Sequence, residues 1–427
     1  MDRQTLETGT GRKYRNYVLL ILILVYIFNF IDRQILGILA SAIKSELSLT
    51  DNQLGLMGGL AFALFYTALG VPIAMLADRF NRTWIITVSL AIWSGFTALC
   101  GTATGFWHLF LCRLGVGVGE AGGVAPAYSL ISDYFPPRER ARALAVYSFG
   151  IPIGMALGVL FGGLIAHQIG WRWAFVICGL AGLIMAPILK MTVKEPVRGG
   201  FDGAARKAPA ASLRTVMSVL LTKPSFWVLA VGASCSSVMG YGLAFWLPSF
   251  LERSHGLGLV DRSLFYSGIL FAGGIVGVWM GGSLGDKLGA RDKGNYARVP
   301  SVAFFVSLPF YAAGLAVDNL PLAFVLFVVP QALALMWLGP TLSAVQHLVA
   351  PNMRATASAI FLFVNNLLGI GFGTWFLGML SDVMRAQYGQ ESLRYSLLYC
   401  LGFYALAGIL FFLASRRLAR DWHREEA

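Results

Sequence analysis

Charge is scarce in this chain. Only 13% of its 427 residues are Asp, Glu, Lys or Arg, 57% are hydrophobic, and the mean hydropathy is +0.69. A water-soluble chain of that length needs far more polar surface, so the composition excludes the soluble class and reads as an integral membrane protein. Histidine is as thin: His108, His167, His255, His347 and His423 are scattered toward the ends of apolar runs. No metal cluster or nucleophile–base pair at depth is expected from them, which argues against an intramembrane enzyme and against a cofactor. No phosphate-binding loop of the G-x-x-x-x-G-K-[ST] type is present, so direct ATP drive is not expected. The five cysteines (Cys100, Cys112, Cys178, Cys235, Cys400) are odd in number, form no CxxC and fall in apolar runs. They are expected to be reduced, buried, small apolar residues. The first apolar run is far longer than a signal-peptide core and no small-residue cleavage site follows it, so no cleaved leader is expected.

What is abundant is apolar sequence in lengths that cross a hydrocarbon core, about 20 residues each. Spans are expected near 17–43, 53–76, 83–103, 107–132, 142–167, 171–190, 224–250, 262–285, 299–317, 321–347, 356–381 and 394–415. The predicted fold is an all-α membrane protein of twelve transmembrane helices in two six-helix bundles. The N-terminal bundle takes 1–190 and the C-terminal one 224–427, with a linker at 191–223. The end of that linker, Ser212–Leu221, has the pattern of a short amphipathic helix at a membrane surface. With both termini inside, only Lys44, Arg172, Arg253, Arg262, Arg385 and Arg394 of the 33 basic residues fall outside, and Arg33 and Arg113 lie within spans. That asymmetry predicts cytoplasmic termini. It also accounts for the net charge of +12 through anionic inner-leaflet lipid, without nucleic acid. The compact loops suit a bacterial inner membrane, and a monomer is expected.

The two halves repeat one another. LADRFNR (76–82), after the second span, corresponds to SLGDKLGAR (283–291), after the eighth; Ala125-Pro126 corresponds to Gly339-Pro340, Pro137 to Pro351 and Arg140 to Arg354. Parallel six-helix repeats are a transporter architecture. The repeated loop resembles the cytoplasmic signature of the major facilitator superfamily, although Ala74 and Asn81 stand where that signature usually has glycine. FNFIDRQILGIL (28–39), GVGEAGGVAPAYSLISDYFPPRERARAL (117–144) and YSFGIPIGMALG (147–158) resemble the Spinster branch more closely, and the likeness covers essentially the whole chain. The resemblance implies an inner gate of Asp78, Arg79, Arg82, Asp286, Lys287 and Arg291, helped by Asp133, Arg138, Arg140 and Arg142. Animal Spinster relatives are associated with export of sphingosine phosphate or lysophospholipids, while acid-sugar transporters share parts of the same motifs.

Four charges interrupt the spans: Asp32 and Arg33 in the first, Arg113 and Glu120 in the fourth. A charge at mid-bilayer depth costs at least a few kcal/mol, so a partner or an aqueous cavity is expected. Arg113 and Glu120, seven residues apart, share one helix face, whereas Asp32 and Arg33 point ~100° apart. Either Asp32 or Arg33 can be the one aimed at the fourth helix. Burial opposes ionisation of a carboxyl group and a guanidinium favours it, so Asp32 and Glu120 are candidates for proton coupling, with Arg113 as modulator. Arg33 and Arg113 cannot readily release protons and are candidates to bind an anionic head group, with Glu120 beside them. A structural ion pair is the alternative. The aligned positions of the second half are Phe327 and Ala334, which confines this chemistry to the first. That second half offers Ser236, Ser237, Tyr241, Trp246, Trp337, Asn365 and Asn366, of which Tyr241, Trp337 and Asn365 are the candidate substrate contacts. Glycines at 150, 154, 158 and 162 in the fifth span form a small-residue face for close helix crossing, in partial likeness to an antiporter signature.

The expected function is proton-coupled secondary transport by alternating access, with an amphipathic, anionic, lipid-like substrate. A small organic anion such as a sugar acid is the alternative, and a non-transporting membrane sensor the rival outside transport.

Overall fold

The computed structural model describes residues 11–198, 212–289, 291–350 and 353–422. Two compact units divide the chain, and the division does not follow the linker alone. The first unit takes the chain to Leu49 and resumes at Ala61; Thr50–Leu60 belongs to the second.

Helix α1 (Arg12–Ile38) opens the first unit. Its 27 residues reach about 40 Å, and Val18, Leu22, Val25, Asn29, Asp32 and Leu36 form a buried stripe at three- and four-residue steps. The polar Asn29 and Asp32 are thus carried inward by the same periodicity as their apolar neighbours. Then follow α2 (Ala40–Leu47), α3 (Asp51–Gly58, in the second unit), α4 (Leu60–Arg79) and α5 (Arg82–Cys100). Asn81, at a position where glycine was the expectation, caps α5: its side-chain oxygen accepts from the Trp84 N–H at 2.9 Å. Helices α6 (Phe106–Glu120), α7 (Val124–Tyr134), α8 (Pro137–Ser148), α9 (Gly150–Ile169) and α10 (Trp171–Thr192) complete the unit.

The second unit continues with α11 (Leu213–Leu221), the short helix expected at the end of the linker. Ser212 caps it and Val216 and Leu220 are its buried face. It is followed by α12 (Pro224–His255), α13 (Leu259–Gly289), α14 (Asn295–Ala316), α15 (Leu320–Leu335) and α16 (Leu338–His347). Helix α17 (Arg354–Asn366) runs into a π-helical stretch, Leu367–Phe372, and then α18 (Gly373–Tyr388). Helices α19 (Ser392–Cys400) and α20 (Gly402–Asp421) end the described chain.

Ten stretches of the described residues are long and apolar enough to cross a membrane. The last, Thr356–Asp421, runs for 66 residues, length for two crossings. The expected fourth span is not among the ten; it is divided at Ala121–Gly123 into α6 and α7, of 15 and 11 residues, each too short to cross alone. The tenth breaks at the matching place, Met336–Trp337, between α15 and α16. Pro126 and Pro340 each sit in the first turn of the helix after the break, where a missing N–H costs nothing. The internal repeat therefore extends to a shared helix discontinuity. Large apolar side chains such as Trp107, Leu111, Ile184 and Trp279 are more than half exposed, as a protein surrounded by lipid requires.

Close helix crossings in the first unit rest on glycine. A Cβ at Gly179 of α10 would lie 2.5 Å from both the Ala98 nitrogen and the Ser94 carbonyl oxygen of α5, backbone atoms with no side chain able to give way. Gly179→Ala is expected to lower stability by about 1–3 kcal/mol, read as an earlier midpoint in thermal unfolding of the purified protein. A melt matching the parent would mean the crossing is looser than it looks. The Gly154/Gly158 face of α9 packs on α1 in the same way, with Cβ positions 2.7 Å from the Ile27 carbonyl oxygen and 2.8 Å from the Ile31 Cα. Tight packing is what this glycine pattern accomplishes here. Glu46, outside the spans, accepts from the Trp171 indole N–H and from Arg172 at the start of α10, and these hold its carboxyl below its ordinary range.

Candidate transport site

The four intramembrane charges meet inside the first unit. Arg33 Nε donates to Glu120 Oε2 at 2.8 Å. The guanidinium of Arg33 also stands over three rings, Phe30, Phe62 and Tyr66, at 5.0, 4.9 and 4.8 Å from their centroids. Such contacts contribute about 0.5–2 kcal/mol each, more when water is excluded. Arg113 Nη1 lies 3.4 Å from the Asp32 backbone carbonyl and its guanidinium stands over Phe62 at 5.6 Å. The Thr97 hydroxyl faces the Asp32 carboxylate, and the Asn29 amide lies beside that of Glu120.

Helix geometry explains why these groups converge. Arg113 and Glu120, almost two turns apart on α6, reach two adjacent residues of α1, one through a backbone carbonyl and one through a side chain. Sequence left open which of Asp32 and Arg33 addresses the fourth span; the ion pair belongs to Arg33. Two glycines admit α6 to this position. A Cβ at Gly117 would lie 2.5 Å from the Phe62 carbonyl oxygen, and one at Gly119 2.5 Å from the Trp93 nitrogen. The break at Ala121–Gly123 comes directly after Glu120.

Asp32, Arg113 and Glu120 are buried, at 3%, 1% and 0% exposure, while Arg33 is partly exposed. Glu120 Oε1 and Arg113 Nε are buried without a hydrogen bond of normal geometry. A buried carboxylate oxygen left unsatisfied costs about 1–3 kcal/mol or more. A proton on it removes that cost but weakens the bond to Arg33. With all four groups ionised the set is neutral, and protonating one acid leaves a net positive charge. What the set offers chemically is two buried acids, one of them paired, and one partly exposed guanidinium.

The other candidate residues are distributed more widely. In the second unit, Ser237 donates to the Asn365 side-chain oxygen at 2.8 Å, and Asn365 to that of Asn366 at 3.3 Å. Both asparagines lie at the end of α17, immediately before the π-helical stretch. Trp337 occupies the break before α16 and packs against Phe361; Tyr241 is half-buried on α12. Of the expected gate residues, the side chains of Asp78 and Asp286 lie outside the described residues. Arg82 is fully buried and bonds Asp133 at 2.5 Å, Ser129 at 2.7 Å and Glu195 at 2.7 Å. Arg140 donates to the Phe135 carbonyl oxygen at 3.0 Å. Arg79, Arg138, Arg142, Lys287 and Arg291 are exposed.

Sequence reasoning passed over Glu195 and Arg198, which follow α10 in what read as linker. Glu195 also accepts from the Thr83 N–H at the N-terminus of α5, and Arg198 donates to the Ala77 carbonyl oxygen at the C-terminal end of α4. The acid thus meets the positive end of one helix and the base the negative end of the other. The local signal was an acid and a base placed at the exit of a span. Phe30, Phe62, Tyr66, Asn29 and Thr97 carried no sequence signal distinct from ordinary packing.

Comparison with known proteins agrees with this architecture. Residues 22–374 match the model of the Major Facilitator Superfamily. An MFS-type efflux pump of Mycolicibacterium smegmatis is 34% identical over 404 residues, covering 94% of this chain and 92% of that one. Protein spinster homolog 1 of Xenopus tropicalis is 30% identical over 435 residues, covering 95% and 82%. The crystal structure of a bacterial homolog to the human lysosomal transporter Spinster, inward-facing and unoccupied, superposes with a TM-score of 0.87 at 33% identity, covering 98% of this chain and all of that one. The chain belongs to the major facilitator superfamily: it is an integral membrane transporter that resembles Spinster, not an enzyme.

Proposed function

We propose that the protein is a proton-coupled secondary transporter that works by alternating access and moves an amphipathic, anionic, lipid-like substrate, with both termini in the cytoplasm of a bacterium. The observation that carries this reading is the Arg33–Glu120 pair, in which one cation is shared by a carboxylate and an aromatic surround. An anionic head group competes with Glu120 for Arg33. Protonating Glu120 removes the competitor, so proton and anion binding favour one another, and by linkage each raises the other's affinity by the same factor. The rings beside Arg33 offer apolar surface to whatever the head group carries. The likeness to Spinster supports a lipid-like substrate, and the mycobacterial relative supports transport. Arg82 with Asp133, and the loop signature around it, supports a cytoplasmic gate. Asn365, Trp337 and Tyr241 are the proposed contacts of the second unit.

The neutral hydrogen-bonding set Ser237, Asn365 and Asn366 favours a second reading, a small polyhydroxylated acid carried with a proton. Thermal stabilisation of the purified protein by lysophosphatidylglycerol and by glucuronate, each at pH 5.5 and 7.5, separates the two. The lysophospholipid is expected to stabilise, more so at the lower pH. Stabilisation by glucuronate alone would replace the lipid reading with the second.

A further inference from the structure

Two of the five cysteines are placed as a pair. We propose that Cys100 and Cys112 form a dithiol that a small hydroperoxide closes to a disulfide, clamping the C-terminal end of α5 to α6 next to Arg113. The inference stands on packing within the first unit and is independent of substrate and of proton coupling.

The register of two helices sets the pair. Helices α5 and α6 follow one another across residues 101–105 and run antiparallel. Along their seam, Cβ atoms at Gly122, Gly119 and Gly115 would press on Ser89, Trp93 and Phe96 respectively. Steps of four and three residues forward from Ser89 are thus matched by steps of three and four back from Gly122, the helical spacing of one shared face. The next step in each direction brings Cys100 opposite Cys112. Their side chains share a hydrogen bond, and both are buried, at 0% and 5% exposure. A disulfide needs its Cα atoms within about 7 Å and its Cβ atoms turned toward one another. A seam close enough to exclude a Cβ at three successive glycines, with the thiols in contact at its end, is suited to that geometry.

Burial selects the oxidant. Bulky or charged reagents do not reach sealed thiols, whereas a hydroperoxide is small and neutral. Cys112, the less sealed of the two, is the first target. Its thiolate attacks one peroxide oxygen and the O–O bond breaks. The hydroxide that departs takes up the thiol proton and leaves as water, and Cys112 becomes a sulfenic acid. The Cys100 sulfur then attacks the Cys112 sulfur. The S–S bond forms, the S–O bond breaks, and the hydroxyl leaves as a second water with the Cys100 proton. Two thiols and one hydrogen peroxide therefore give one disulfide and two waters, the sulfurs oxidised and the peroxide oxygens reduced. A dithiol reductant reverses the bridge by exchange.

The bridge bears on the charged site. Thr97, one turn before Cys100, faces Asp32, and Arg113, whose guanidinium meets the Asp32 carbonyl, directly follows Cys112. With the termini cytoplasmic, as proposed above, Cys100 lies at the outer end of α5, toward the oxidising side of a bacterial inner membrane.

The test counts thiols. Protein in nanodiscs is treated with hydrogen peroxide, denatured with N-ethylmaleimide, and measured by intact mass with and without prior dithiothreitol. All five cysteines of the reduced parent are free, so five labels are expected after dithiothreitol and three after oxidation. A digest should then hold Cys100 and Cys112 in one disulfide-linked peptide pair, with Cys178, Cys235 and Cys400 labelled throughout. Met191, 83% exposed, becomes its sulfoxide under the same treatment and marks the dose. Cys100→Ser and Cys112→Ala should yield no linked peptide. Five labels on an oxidised parent whose Met191 is sulfoxide overturn the proposal, whether or not the variants fold. A loss of two labels that maps to any other pair of cysteines overturns it as well.

Discussion

Glu120→Gln is expected to bind substrate and exchange it across the membrane while losing all response to a proton gradient. Glutamine keeps the shape of the protonated acid but can neither gain nor lose the proton. Arg33 then faces a neutral amide, so an anionic head group meets no competing carboxylate at any pH. Affinity for lysophosphatidylglycerol should become flat between pH 5.5 and 7.5. In the parent it should strengthen toward low pH, by about ten-fold if protonation removes ~1.4 kcal/mol of competition. Accumulation in proteoliposomes under an imposed pH gradient should fall to equilibration. Gradient-driven accumulation that survives in the variant would remove Glu120 from coupling. Asp32, which faces Thr97 and shares the site with Arg113, would then be the remaining acid. Arg33→Lys tests the partner: a single ammonium cannot reproduce the planar stacking over Phe30, Phe62 and Tyr66. It should weaken anion affinity while leaving the pH response in place.

Replacing Arg82 should be the most destabilising single change at the knot following α10. The side chain is 1% exposed and serves Asp133, Ser129 and Glu195 at once. Arg82→Gln leaves two carboxylates facing each other across the space of one cation, a loss of about 3–5 kcal/mol for a fully buried pair. The part exposure of Glu195, at 20%, places the expected loss near the lower end of that range. Arg82→Lys should recover little, because one ammonium cannot reach as Nε and Nη1 reach now. The combined variant Arg82→Met, Asp133→Asn, Glu195→Gln should melt closer to the parent than Arg82→Gln alone, since no charge is stranded. Thermal unfolding in detergent reads all four proteins. Equal midpoints for Arg82→Gln and the parent would show that this knot is solvated and bears no load.

How far the sequence could be read depended on how local the signal was. The break in the fourth span shows both sides of that limit. Its proline was visible as half of a repeat, Pro126 with Pro340, but the break directly after Glu120 was not, because glycine in an apolar run reads equally as packing. Arg253 read as one of the few basic residues on the outer side; the carboxylate it donates to, Asp51, is 202 residues away, and nothing in either neighbourhood names the other. Glu195 was passed over because it follows a span, where charge is common. In the second unit, Asn365 stood out as polar within an apolar run, while Ser237, its partner, looked like any small helix residue.

Hydropathy, repeat and charge placement are sums over neighbouring residues, so the chain's membrane class, its helical architecture and the depth of Asp32, Arg33, Arg113 and Glu120 were determined by the sequence alone. Choice of partner is a property of distance in space. Whether Asp32 or Arg33 would answer Glu120 turned on the rotation of α1 about its axis, set against the glycine face of α9, and on the place of α6, which Gly117 and Gly119 let approach α4 and α5. That rotation is set by packing among helices far apart in the chain, so only the tertiary structure could decide it.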